Sequence, residues 1–466
     1  MDVKIKFLGA AQTVTGSKYL LKAGDKNILI DCGLFQGLKD LRLLNWDVFP
    51  INPSEIDIVI LTHAHIDHCG YLPRLCRDGF EGNIYCTTAT ADLLEIMLYD
   101  SAKLQEEETE VAIQKGYSKH NNPEPLYTTK DVDKVLPKVK AVDYDEIFEP
   151  LPKIQVQFLD AGHILGSAIA EITVSGERMT KKIVFSGDLG RYDKPILFDP
   201  PVVKQADVLL VESTYGDRLN RIDSPEQAFQ KIILDAIDRK GCLVIPAFAV
   251  GRTQLLLYYL KRLKQEKMIP DIPVYVDSPM AIDVTFLYQR YPRYFKQELF
   301  VGMGKGSPFH FSNLHFCDKQ TESNALRDLK QNAIIISASG MCTGGRILSH
   351  LYQRLPKPND TILLVGYQAA GTRGKRLLEG EKSIKIFGEP VQVHAHIDHL
   401  DGLSAHADKD ELLRWLAGFE DSPKMTFVTH GEPESAKAFA QTIQTELGWH
   451  AQAPEYLETV SLFQGI

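Results

Sequence analysis

The sequence predicts an α/β protein of two unlike parts. One is a sandwich of two packed β-sheets; the other alternates strands with helices over a mainly parallel sheet. Two patterns predict this. Residues 1–209 alternate short apolar runs with Gly/Asp loops and contain few helices, as packed sheets require. From about residue 210, strands alternate with longer helices, the rhythm of βαβ units. A chain of 466 residues also exceeds what one hydrophobic core usually accommodates.

In the first part, strands are expected at KIKFLG, KYLLKA, KNILIDCG, IDIVILTHAH, GNIYCTT, KIQVQFLDAGH, SAIAEITVSG and KKIVFSGDLG. Each is rich in β-branched or aromatic residues and stops at a turn residue. ADLLEIMLYDSAKLQEEETEVAIQKG interrupts the series, because its apolar residues recur at helical spacing. The polar, Pro-containing SKHNNPEPLYTT follows it as a loop. In the second part, SPEQAFQKIILDAIDRKG and RTQLLLYYLKRLKQEK read as helices. GCLVIPAFAV, IPVYVDSP, NAIIISAS and DTILLVGYQ are apolar enough to be buried strands. The ending, ADKDELLRWLAGF, KMTFVTHGEP and SAKAFAQTIQTEL, returns to helix–strand–helix.

Composition narrows the class. Apolar residues make up 44% and charged residues 24%, as in ordinary globular proteins. No apolar run is long enough to span a membrane, and the N-terminus lacks a signal-peptide core. Seven scattered cysteines without a CxxC pair argue for a reduced, cytoplasmic setting and against thiolate-held zinc. A formal charge of −9 argues against general coating of nucleic acid, but a local basic groove remains compatible with it.

HAHIDH occurs twice, at 63–68 and 394–399. In the first copy IDIVIL is a strand ending near Thr62, and GYLPRLC opens a helix with Pro73 in its first turn. His63, His65, Asp67 and His68 therefore sit on a strand-to-helix loop, where polar side chains can converge. In the second copy VQVHAHIDHL alternates apolar and polar residues, which predicts one half-buried strand with His394 and His396 facing outward. One loop cannot close a two-zinc site, which needs seven or eight ligand contacts. Three further strand–turn junctions offer ligands: His163 in DAGHILGS, Asp188 in IVFSGDLG and His430 in KMTFVTHGEP. His120, His310, His315, His350 and His450 have no such context and are read as surface or core histidines.

HAHIDH, GHILGS, SGDLG, VESTYG, SAHAD and VTHGE, in this order, resemble the motifs of metallo-β-lactamase-fold nucleases of the β-CASP group. That family includes the endonuclease subunit of eukaryotic mRNA 3′-end processing and its bacterial and archaeal relatives. PAFAVGRTQ, DSPMA, SGMCTGGR and VGYQAAGTRG resemble its inserted β-CASP domain. The resemblance implies an αββα metallo-β-lactamase sandwich in 1–209 and 396–466, with the β-CASP domain in 210–395. It implies two zinc ions, one on His63, His65 and His163, the other on Asp67, His68 and His430, with Asp188 bridging. It places Asp31 behind the ligands, Glu212 as the group that orients His406, and His406 as the proton donor to the leaving oxygen. It puts Ser404 where a hydroxyl can contact substrate phosphate, and gives His394, His396, Asp398 and His399 no metal role.

Such a site suits phosphodiester hydrolysis: paired cations activate water and neutralise charge, and a carboxylate-held histidine protonates the leaving 3′-oxygen. The expected products carry a 5′-phosphate and a 3′-hydroxyl. Arg252, Arg346 and Arg373, in Gly-rich loops, are candidate phosphate contacts. In this family a histidine at position 430 goes with RNA, so single-stranded RNA is the expected substrate. Endonuclease and 5′→3′ exonuclease modes both stay open, and a homodimer is compatible with the chain. The alternatives are a hydrolase of the same fold acting on DNA or a small ester, or a non-catalytic scaffold. The complete ligand set disfavours the scaffold, and the large insertion disfavours a small ester.

His65→Ala is expected to abolish bound zinc and cleavage, while His396→Ala leaves both nearly intact. Metal quantification beside an RNA-cleavage assay checks this; equal loss in both variants would mean that the wrong copy was chosen.

Overall fold

The computed structural model describes residues 1–115, 123–219, 224–300 and 306–466. The chain divides into one unit of residues 1–219 and 406–466 and a second of residues 220–405.

The first unit has two seven-stranded sheets. One orders Thr459–Phe463, Val3–Phe7, Tyr19–Ala23, Lys26–Ile30, Ile58–Ile60, Asn83–Thr87 and Val139–Val142. The other orders Ala451–Gln452, Met425–Thr429, Val208–Glu212, Thr180–Phe185, Ala168–Ser175, Ile154–Asp160 and Ile147–Leu151. Alternate residues of each strand face opposite ways. Phe7, Ile28, Ile60, Phe158, Ile172, Phe185 and Phe427 fill the space between the sheets. The Phe7 and Phe427 rings sit 5.0 Å apart across it.

The outward residues are also apolar and need cover. Leu29, Val59, Leu61 and Ile84 pack under the helices Leu72–Arg77, Thr88–Lys115 and Thr129–Val135. Val184, Leu209, Val211 and Val428 pack under Lys409–Leu416 and Pro433–Thr442, through Leu412, Trp415, Ala436 and Phe439. The result is the expected αββα sandwich. The expected strands form. The edge strands Val139–Val142 and Ile147–Leu151 were not anticipated: they have no fully buried residue, so their apolar pattern is weak.

The second unit has a six-stranded sheet in the order Leu314–Phe316, Val274–Val276, Ile334–Ser337, Leu243–Pro246, Thr361–Val365 and His396–Leu400. Every neighbouring pair in it is parallel. The helices Arg252–Gln265, Pro279–Arg290 and Ile347–Arg354 supply crossovers.

The second HAHIDH departs from expectation. VQVHAHIDHL is not one strand. Glu389–Gln392 pairs with Ser383–Ile386 in a hairpin, the chain leaves sheet geometry at 393–395, and His396–Leu400 pairs with Thr361–Val365. His394 and His396 are exposed, as expected. The pairing of His396–Leu400 also carries 396–405 with the second unit, so that unit runs ten residues beyond the expected boundary of 395.

Phe427→Ala should destabilise the first unit by about 3–5 kcal/mol, because the sheets cannot close over the void. Val48→Ser, at a side chain 94% exposed, should stay within about 0.5 kcal/mol. Chemical denaturation midpoints of the two variants test the difference.

Candidate active site

Candidate ligands cluster at the C-terminal ends of strands of the first unit. Ile58–Ile60 stops, Leu61 and Thr62 still bond Tyr85 and Ala168 through their backbones, and after His63–His65 the chain turns into the short helix Ile66–Cys69. His63 and His65 thus lie before that helix, and Asp67 and His68 lie within it. The sequence reading had placed all four on a loop. Gly33 makes the turn feasible: a Cβ there would lie 1.6 Å from the Asp67 carbonyl oxygen. His163 follows Ile154–Asp160, and its N–H donates to Ser167 Oγ at 3.0 Å. Asp188 follows Thr180–Phe185, and His430 follows Met425–Thr429.

Two groups of donor atoms converge, and they share one carboxylate. In the first, His65 Nδ1 lies 3.1 Å from His63 Nε2 and 3.2 Å from His163 Nε2. Asp188 Oδ2 lies 3.4 Å from His63 Nε2 and 3.5 Å from His163 Nε2. In the second, His68 Nε2 lies 3.1 Å from His430 Nε2 and 3.3 Å from Asp188 Oδ1. Asp67 Oδ2 is 3.5 Å from His430 Nε2. Each Asp188 oxygen therefore faces a different group.

The residues fit zinc. Four ligands at zinc–nitrogen distance define a tetrahedron with edges of about 3.3 Å, which matches these spacings. Asp188 is 2% exposed, and its Oδ1 accepts no hydrogen bond among the described residues, a costly state for a buried carboxylate without a cation. His63, His65, His163 and Asp188 form one cluster whose ligand atoms lie close enough to hold a metal ion, and Asp67, His68 and His430 form another; Asp188 and His430 also lie that close to Glu212 and His406.

Hydroxyls and a carboxylate behind the ligands fix the imidazole tautomers. Thr62 Oγ1 donates to Asp31 Oδ2 at 2.8 Å and lies 3.1 Å from His63 Nδ1, so it accepts the proton there. His68 Nδ1 donates to Asp31 Oδ2 at 2.7 Å. Thr214 Oγ1 donates to the His430 carbonyl at 3.2 Å and accepts from His430 Nδ1 at 3.1 Å. In all three histidines the Nε2 lone pair is left to face the convergence point. The sequence reading anticipated Asp31 but not Thr62, Thr214 or Ser167. Their signal was adjacency: each is in or next to a motif already singled out.

Electrostatics agree with this donor set. Burial holds His63 and His163 well below the ordinary histidine range and His65 at about 4, so all three are neutral. Burial alone would raise Asp188, but His430, His68 and His63 hold it well below the carboxylate range. Burial would lower His68, yet the carboxylates of Asp188 and Asp31 raise it well above the ordinary value. Without metal it carries a proton that a cation would displace.

Beside these groups stands His406, whose side chain is 17% exposed. Its backbone bridges to Gly190, and the Ala407 N–H donates to the Leu189 carbonyl at 2.9 Å. Its Nδ1 lies 3.1 Å from both Glu212 oxygens and 3.9 Å from Asp188 Oδ2. Glu212 is fixed by the N–H groups of Leu189 at 2.7 Å and Thr214 at 3.2 Å. Burial opposes a charge on His406, but Glu212, then Asp188 and Asp67, raise it to about 9.

The other anticipated residues lie in the second unit. Ser404 is buried in the loop preceding His406. Arg252 is buried at the start of Arg252–Gln265. Arg346 donates to Asp277 at 2.9 Å and to the carbonyls of Cys317 and Asp318. Arg373 donates to the carbonyls of Lys385, Cys342 and Thr343. These bonds give Arg346 and Arg373 a structural occupation, the commoner state of an arginine side chain. Asp398 lies 3.8 Å from Arg239, and His399 Nδ1 lies 3.3 Å from Asp401. Among the described residues none of His394, His396, Asp398 and His399 joins a metal-competent group. His350 is a buried partner of Asp277 at 2.6 Å, and His120 lies outside the described residues.

Comparison with known proteins agrees with this geometry. The metallo-β-lactamase superfamily model matches residues 13–246 and the β-CASP domain model residues 253–377. A Zn-dependent metallo-hydrolase RNA specificity domain matches residues 390–454. Ribonuclease TTHA0252 of Thermus thermophilus is 38% identical over 443 residues, covering 95% of this chain and 96% of its own length. Transcription termination factor FttA of Methanosarcina mazei is 33% identical over 480 residues, covering 99% of this chain and 72% of its own length. A solved Enterococcus faecalis V583 protein of unknown function covers 99% of this chain and all of its own, with TM-score 0.52 and 13% identity, a likeness of fold alone. With its αββα sandwich and its inserted parallel-sheet unit, the chain belongs to the β-CASP group of metallo-β-lactamase-fold nucleases.

Proposed function

We propose that this chain, a metal-dependent ribonuclease by family, hydrolyses phosphodiester bonds of single-stranded RNA with two zinc ions, leaving a 5′-phosphate and a 3′-hydroxyl. One observation carries the reading: the two oxygens of buried Asp188 face two separate sets of ligand-type side chains. RNA as substrate is supported by the matched RNA specificity domain and by the ribonuclease named among the relatives.

When bound there, zinc ions supply an activated water and neutralise charge on the attacked phosphate. His63, His65, His163 and Asp188 would hold one, and Asp67, His68, His430 and Asp188 the other. The remaining groups manage the proton. Glu212 takes His406 Nδ1, so His406 delivers its proton from Nε2 to the leaving 3′-oxygen. The Leu189 and Thr214 N–H groups hold Glu212 in place while it does so. Ser404 and Arg252 are proposed substrate-phosphate contacts; Arg346 and Arg373 would first have to leave their backbone partners. The reaction takes place in a cytoplasmic setting on this reading, in keeping with seven buried, unpaired cysteines.

Three tests follow. Chelation should abolish cleavage of an end-labelled oligoribonucleotide and added zinc restore it, while a small chromogenic diester reacts poorly. Preference for the small diester would defeat the RNA reading. His406→Ala should keep both zinc ions but lose about 10²–10⁴-fold in rate; metal loss in that variant would contradict the assigned role. Glu212→Gln should move the basic limb of the pH–rate profile to lower pH. A general acid works only while protonated, and removing the carboxylate lowers the pKa that it had raised. An unmoved limb would show that His406 is not the titrating acid.

A further inference from the structure

Lys18 is a buried ammonium, 4% exposed, whose hydrogen-bond partners among the described residues are carbonyls and not carboxylates. Its Nζ donates to the Gly33 carbonyl at 2.6 Å and to the Gly16 carbonyl at 3.2 Å. It also lies over the Phe35 ring, 4.3 Å from the centroid, with the Tyr71 ring at 5.3 Å. Burying a cation without a counter-charge is unfavourable, and burial pushes this one down to about 8. An apolar residue could fill the same space at lower cost. The ammonium therefore has to be explained by what it ties together.

The two carbonyls belong to the two loops that grip the second group of candidate ligands. The Ser17 N–H donates to the Asp67 carbonyl at 2.8 Å, and the Cys32 N–H to the His68 carbonyl at 2.7 Å. The Leu34 N–H donates to the Ile66 carbonyl at 2.9 Å, and the Gly33 N–H to the Ser17 carbonyl at 3.0 Å. Asp31, at the head of the second loop, holds His68 Nδ1, and Ser17 Oγ lies 3.4 Å from His68 Nε2. The backbone of Ile66–His68 is thus seated in a cradle made of residues 16–18 and 31–34. His163, by contrast, is placed by Ser167 in another loop, and His65 precedes the cradled turn; His63 is reached from Asp31 only through the Thr62 hydroxyl, whereas the loops that Lys18 ties bond the 66–68 backbone directly.

We propose that Lys18 is a positioning residue for one metal only: by clamping the Gly16 and Gly33 carbonyls, it sets Asp67 and His68 for the zinc ion shared with His430. The inference rests on the two-zinc reading and goes beyond it. It makes the two sites separable through a side chain that touches neither.

The test is a zinc titration of the full chain against a competing chelator, with metal counting. Wild-type protein should hold two zinc ions. Lys18→Met should hold one as tightly as wild type and the other about 10–100-fold more weakly, the usual effect of removing an outer support. Adding Lys18→Met to a His430→Ala chain, whose second group is already broken, should leave the remaining zinc unchanged. Equal weakening of both ions, no weakening, or further loss in the His430→Ala chain would overturn the proposal. If Lys18→Met does not fold, Lys18→Gln, which keeps a donor, should show the same selective loss in smaller measure; selectivity absent there is equally fatal. A wild-type chain that binds fewer than two zinc ions would defeat the two-zinc reading and the proposal with it, whereas two ions in wild type with no selective loss in Lys18→Met would defeat the proposal alone.

Discussion

Asp188 is a carboxylate with almost no access to water and five imidazoles within 3.9 Å. That arrangement is tolerable only because opposite charges meet there. The carboxylate favours a proton on His68 and His406, and His430, His68 and His63 in turn hold it well below the carboxylate range. The sandwich exists to hold this point. Asp31, His63, His163, Asp188 and His430 each come within three residues of the last residue of a strand, and Glu212 is itself such a residue. Paired strands fix where their ends lie, and two packed sheets fix six such ends relative to one another.

Convergence is costly for the backbone. Asp31 and His430 both have positive φ, 56° and 48°. Side chains in that region are strained by about 1–3 kcal/mol each. Local bonds hold them there. Thr62 N–H and its hydroxyl take both Asp31 oxygens, and the His430 N–H donates to the Ala10 carbonyl at 2.8 Å. Gly431 allows the close approach: a Cβ there would meet Ser213 Oγ at 2.2 Å. The same hydroxyls that fix tautomers thus also stabilise the unfavourable turns, so geometry and protonation state are set by one network.

Much of this was legible in the sequence because strands bury apolar side chains and stop at polar ones. The change from IVIL to THAHIDH, or from IVF to SGDLG, marks a strand end that carries candidate ligands. The supporting hydroxyls were less legible. A threonine before His63 or after Glu212 has no compositional mark, and its role depends on which imidazole the fold brings alongside. The edge strands were missed for a related reason, since half-exposed positions do not need the apolar alternation that identifies a strand. The arginines show a second limit of local reading. Gly-rich context suggested ligands, but in Arg346 and Arg373 it also exposes carbonyls, which claim guanidinium donors.

The repeated hexapeptide isolates the part that no local reading can supply. HIDH at 65–68 enters a helix, Ile66–Cys69, while HIDH at 396–399 is a strand. Four identical side chains have the same intrinsic propensities, so the difference comes from outside them. In the first copy Gly70, Tyr71 and Pro73 continue into a second short helix, and the cradle of loops fixes the turn. In the second copy five residues find a parallel partner in Thr361–Val365, and ladder bonds outcompete the turn. The consequence for chemistry follows directly. A helical turn can aim Asp67 and His68 at one point shared with His430. A strand sends neighbouring side chains to opposite faces, so Asp398 and His399 cannot meet there. Metal competence is therefore a property of the turn that carries the motif, and the letters alone do not confer it.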